Sequence, residues 1–162
     1  MAEKENLRKL LYGEGAHTNS LNALEALDEK QAGARPANAP HSIYQLLWHM
    51  IYWQEYELDN IAGKPPSYPT HAIESWPKET ASRSLREWNE TIQKFAAGLK
   101  RYEALLDDPA RDWDRVVNTK KNETVRDVVW MIVAHNSPHL GQIITLRQQL
   151  GAWPPPKGGD TW

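Results

Sequence analysis

Apolar residues recur along the chain in steps of three and four, in four separated stretches. The most regular runs through Leu85, Trp88, Ile92, Phe95, Leu99, Tyr102 and Leu106, a seam of coiled-coil type suited to left-handed bundle packing. Ser84 and Glu87 form a capping box at its start. Another helix begins just after Pro40, where Ser42 and Gln45 make an S-x-x-Q box ahead of Ile43, Leu46, Leu47 and Met50, and runs to about Ile61. The last is capped by Thr124 with Asp127 and carries Val125, Val128, Val129, Ile132, Ile143, Leu146 and Leu150 as far as Gly151, a natural terminator. The first, from about Lys4 to Leu27, sets Leu7, Leu10, Leu21 and Leu24 on one face with His17 in the middle of that stripe. Gly13 and Gly15 oppose it, each by about 1 kcal/mol relative to alanine, and predict a kink or a close helix approach there.

The intervening segments read as connections. Residues 28–40 contain Gly33, Pro36 and Pro40 and form a loop, and 63–83, with Pro65, Pro66, Pro69 and Pro77, is a long crossover. Residues 107–123 are polar and turn-rich, with Val116 and Val117 packing locally. The tail from about residue 152 holds Pro154, Pro155 and Pro156, which forbid a helix and predict an extended segment that either packs its tryptophans on the bundle or frays. Four helices with two long connections predict a single all-α domain over residues 1–162, a four-helix bundle with sites built from side chains on facing helices.

Composition narrows the function. A chain of 162 residues is long enough to bury roughly 70% of its unfolded surface in one core. The net charge of −2, without a basic block, argues against nucleic acid as a partner. No apolar run approaches the roughly 20 residues that span a bilayer, so no membrane partner is expected. The opening MAEKENLRKLL lacks the apolar core of a signal peptide, and a cytoplasmic location follows as the expectation. With no cysteine, a metal site must draw on His, Asp, Glu or water, and any thiol chemistry brings its thiol on a small molecule. Eight tryptophans against one phenylalanine supply bulky rings with an N–H, suited to lining a cavity. G-x-S-x-G, P-loop and dinucleotide glycine patterns do not occur.

Candidate chemistry gathers in AHNSPHLGQIITLR, residues 134–147. His135 and His139 are four apart, so both imidazoles fall on the aliphatic stripe of the last helix, one turn apart. Such a pair can hold one metal ion from a single helix face, and a shared ion satisfies two buried imidazoles at once. The competing reading is a pair of hydrogen-bonded core histidines. His49, on the inward flank of the second helix, is the best third ligand. Three neutral imidazoles leave positions open for water or substrate, and zinc, nickel and ferrous iron all accept them. Around them, His17, Trp53, Asn136 and Gln142 are candidates for lining the pocket, Asn136 and Gln142 by orienting ligands or a water. Trp48 and Trp130 either wall the cavity or pack in the core. Glu55, Glu57 and Asp59 read as a flank-facing acidic patch, and His41 and His71 as surface residues. No catalytic residue is assigned beyond the metal ligands.

Three segments carry a family resemblance: HSIYQLLWHMIYWQ around His49, AHNSPHLGQIITLRQQLGAWPPP around His135 and His139, and the closing GGDTW. Together with GAH at residues 15–17 they resemble the DinB-like (damage-inducible, YfiT-related) superfamily over essentially the whole chain. The resemblance implies an up-down-down-up four-helix bundle. It also implies a metal-binding triad at His49, His135 and His139, a divalent metal that is usually zinc or nickel, and a homodimer. Some relatives are thiol-dependent transferases or isomerases that use low-molecular-weight thiols, while many have no established activity. The expected function is therefore a metal-dependent thiol S-transferase acting on small electrophiles. The alternatives are a non-catalytic metal-binding or stress-associated dimeric protein and a metal-dependent hydrolase. Pro138 departs from the family pattern. It removes a helical hydrogen bond and crowds the carbonyl of Ala134, at a cost of about 3 kcal/mol unless the helix bends, and such a bend either re-aims His139 or opens the pocket.

Overall fold

The computed structural model describes residues 2–159. Its helices are α1 (Ala2–Tyr12), a short α2 (Glu29–Gly33), α3 (Ile43–Ile61), α4 (Leu85–Asp107) and α5 (Val125–Gln149). Strands β1 (Val116–Asn118) and β2 (Glu123–Thr124) form an antiparallel hairpin before α5. The long helices start where their caps predict. Ser42 Oγ accepts from the Gln45 N–H and the Gln45 amide oxygen accepts from the Ser42 N–H, and Thr124 and Asp127 repeat the exchange.

Packing follows a four-cornered ring, α1 on α4, α4 on α3, α3 on α5 and α5 on α1. Contacts along α3 and α4 advance together. Lys94 sits over Trp48 and pairs with Glu55, Gln54 fills the space above Gly98, and the Tyr102 hydroxyl donates to the Gln54 carbonyl. These two helices are therefore parallel, which is why a crossover of more than twenty residues is needed to join neighbours. Arg8 with Asp107 and Tyr12 with Glu103 set α1 antiparallel to α4, and His49 with His139 and Trp53 with His135 set α5 antiparallel to α3. The result is the up-down-down-up order. The core divides along the bundle into a group around Met50, Trp88 and Phe95 and a group around Ile61, Tyr102 and Val129. No helix among the described residues is long and apolar enough to cross a membrane.

The first helix is shorter than its periodicity predicts. It stops at Tyr12 because Gly13 adopts φ +84, and the Gly13 and Glu14 N–H groups bond back to the Leu10 and Lys9 carbonyls. That is a Schellman termination, a left-handed position glycine takes without steric cost. Gly151 closes α5 in the same way. Leu24 still reaches the core, but from a 3₁₀ turn at Asn22–Leu24. Three further segments read as irregular take on structure. α2 forms within 28–40 behind an Asp28–Gln31 capping box, and a hairpin forms from 107–123 with Thr124. The tail folds back rather than extending: Gly158 N–H bonds to the Pro155 carbonyl, Pro155 is buried and Gly159 lies against the Trp153 ring. The final Asp160, Thr161 and Trp162 of the GGDTW segment lie outside the described residues.

Candidate metal centre

His49 lies on the inner face of α3, 7% exposed, and His135 and His139 lie one turn apart on α5, both half-buried. The three rings meet. Their centroids are 5.1 Å apart for His49 and His135, 5.0 Å for His49 and His139, and 4.7 Å for the α5 pair. One ligating nitrogen from each lies within 4.8 Å of the others.

The inner nitrogens share a pattern. His49 Nδ1 is 3.3 Å from the Ser75 carbonyl oxygen, His139 Nδ1 is 2.7 Å from Gln142 Oε1, and His135 Nδ1 is 3.5 Å from Asn136 Oδ1. A carbonyl oxygen only accepts, so each Nδ1 carries the proton and each Nε2 keeps a lone pair. Two of those lone pairs face each other, His49 Nε2 and His135 Nε2, at 3.2 Å. Such a contact repels unless a proton or a cation lies between. Burial, reinforced by the neighbouring imidazoles, lowers His49 and His135 to about 4, so neither holds a bridging proton at neutral pH. Two nitrogens bound about 2.0–2.1 Å from a tetrahedral zinc stand about 3.3–3.4 Å apart, close to the observed separation. The donor set therefore fits a divalent cation of borderline softness.

The surroundings come largely from the crossover. A 3₁₀ turn at Ala72–Ser75 brings the Ser75 carbonyl to His49, and Trp76 stacks on the His49 ring at 3.9 Å and 7°. His41 covers the opposite face of the same indole at 3.6 Å and 9°. His41 is thus half-buried rather than a surface residue, and burial lowers its pKa. Periodicity could not reveal Ser75 and Trp76, since the segment that carries them has none. The one available signal was the aromatic residue itself, placed directly before Pro77.

Trp53 lies edge-on to His49 and to His135, each at 6.4 Å, and walls one side. Gln142 and Asn136 meet the histidines as described, and the Asn136 Nδ2 is buried without a partner. His17 is elsewhere. Its ring packs over Gly13 and its Nδ1 bonds the Thr18 carbonyl at 2.9 Å, in the turn that ends α1. Trp48 borders a separate groove with Tyr44 and Trp76, and Trp130 is 38% exposed. Glu55 pairs with Lys94, Glu57 is buried and bonded by Asn60, and Asp59 is exposed. Among the described residues no carboxylate joins the three imidazoles. His71 is exposed.

A family model described as the DinB superfamily matches residues 13–143, a span that holds α3, α4 and all three histidines. No curated protein and no solved structure matches the chain.

Proposed function

The chain belongs to the DinB superfamily, and on that premise we propose that it is a metal-dependent enzyme that transfers a small thiol to an electrophile. The observation that carries the reading is the pair of opposed Nε2 lone pairs, with a third imidazole in reach and every Nδ1 already bonded to an oxygen. His49, His135 and His139 would hold the ion, zinc or nickel in preference to iron given an all-imidazole set. A divalent cation supplies Lewis acidity there, which lowers the pKa of an incoming thiol and makes it nucleophilic at neutral pH.

The protein's own contribution is orientation. The Ser75 carbonyl and the Gln142 amide oxygen hold the Nδ1 protons and so fix two ring directions. Trp76 and Trp53 keep water from two sides of His49. The chain has no cysteine, so the thiol comes from solution. Its sulfur bonds to the electrophilic carbon, a leaving group departs with the electron pair of the broken bond, and the thiol proton passes to solvent.

The test is zinc and nickel uptake followed by conjugation of a panel of low-molecular-weight thiols to monochlorobimane. The expected result is one metal per chain and turnover that disappears in His139→Ala. Uptake without turnover for any thiol would leave a binding protein and remove the transferase reading.

A further inference from the structure

Beside the triad, α5 and the loop at residues 37–41 enclose a groove of ≈ 590 Å³, a size suited to a small organic molecule. One wall is the outer face of α5, with Pro138, Gly141 and Thr145, and the other includes His41 and Leu46. Two of its residues lead to the histidines. Gln142 lines the groove and bonds His139, and His41 lines it one indole ring away from His49. The chemistry of the wall is unusual for an exposed concavity, because none of its lining residues is Asp, Glu, Lys or Arg. Its polar atoms are amides, a hydroxyl and the His41 imidazole, whose charged form burial disfavours. The neighbouring groove beside Trp48 is the opposite, bordered by Glu74, Glu79, Glu87 and Arg83.

We propose that the groove between α5 and the 37–41 loop binds the uncharged, largely apolar body of the electrophilic substrate and delivers it to the triad past His41 and Gln142. An ion entering it would shed water and meet no counter-charge among the lining residues, whereas a neutral molecule loses little and finds amide and hydroxyl partners. The inference rests on the reading of the triad as the reactive centre, but its binding half stands alone.

Three probes of one shape separate the cases: benzamide, benzenesulfonate and benzyltrimethylammonium. Their affinities for the full chain are measured by ligand-observed NMR, with and without zinc, and zinc uptake is measured separately. Benzamide is expected to bind at least about tenfold more tightly than either ion. Gly141→Leu projects a side chain into open space on a helix and is expected to weaken benzamide about tenfold while zinc uptake is unchanged. Thr145→Lys, on the exposed face of the same helix, is expected to turn the preference toward benzenesulfonate. Equal or tighter binding of an ion by the unmodified chain, no binding of benzamide, or full benzamide affinity in Gly141→Leu would each overturn the proposal. Should Gly141→Leu not fold, Thr145→Lys decides alone, and no gain for the anion counts against the groove. Loss of zinc uptake with benzamide binding intact would remove the triad reading and leave the groove standing.

Discussion

Acid weakens the fold through His49 and His135. Both are held near 4 in the fold, while an unfolded histidine titrates near 6.5, because burial disfavours the charged ring. The unfolded chain therefore takes up protons that the folded one refuses. Their contribution to stability is complete above about pH 6.5 and is lost as the pH falls toward 4. The metal-free protein should show a lower urea midpoint at pH 5 than at pH 7, and His49→Gln should flatten that dependence. A midpoint independent of pH would mean the rings are not buried as neutral groups. Protons also compete with a cation for the same Nε2 atoms, so zinc affinity should fall over the same range. Trp76 offers a second check. Trp76→Ala removes the plate that holds His49 and should weaken zinc binding by about tenfold in calorimetry, without removing a ligand. The pair on α5 was legible because four-residue spacing on an apolar stripe leaves few other arrangements, and His49 because it lies on an inward flank. Ser75, Trp76 and the buried setting of His41 were not, since the chain brings them to the site through a segment whose course no local pattern dictates.

Helix ends tell a similar story about the fold. Capping boxes at Ser42 and Thr124 and the helix C-terminal glycine at Gly151 mark α3 and α5 closely, because each satisfies backbone groups that a helix terminus leaves open. At Gly13 the same physics opposed a continuing apolar period, and the termination prevailed. The leucines beyond it are buried from a different backbone. Pro138 sits inside α5, which stays helical through it. Ala134 and Pro138 both lie on the exposed face, where water can take the carbonyl that proline leaves unpaired. Pro138→Ala should therefore stabilise the protein by about 1–3 kcal/mol in urea denaturation. An unchanged or lower stability would show that the proline is matched to its site. Thr124→Ala, which empties the α5 cap, should cost about 1 kcal/mol.

Across the molecule, Arg147 is the most connected buried side chain. It is 2% exposed and pairs with no carboxylate among the described residues; its guanidinium donates to the carbonyls of Ala23, Glu25 and Ala152 and lies over the Trp153 ring. One residue thus ties the N-terminal loop and the tail to α5. Arg147→Met should lower stability by at least about 2 kcal/mol, since buried carbonyls lose their donors together. Arg147→Lys should recover only part of it, lacking the planar fork. No pattern of apolar spacing announces such a residue. An arginine near a helix end ordinarily reads as a solvated partner of the dipole. The crossover between the parallel helices carries the Ser75 carbonyl and Trp76 to His49, and it also meets α3 where the Thr80 and Pro77 carbonyls accept from Ser42 and Gln45 and where Tyr68 packs on Trp53 and Tyr56. Loops are where insertions and exchanges are best tolerated. Grip on the cation can consequently be dialled by exchanging residues 72–76 alone, leaving every coordinating atom and the crossover's anchors at Ser42 and Gln45 as they are.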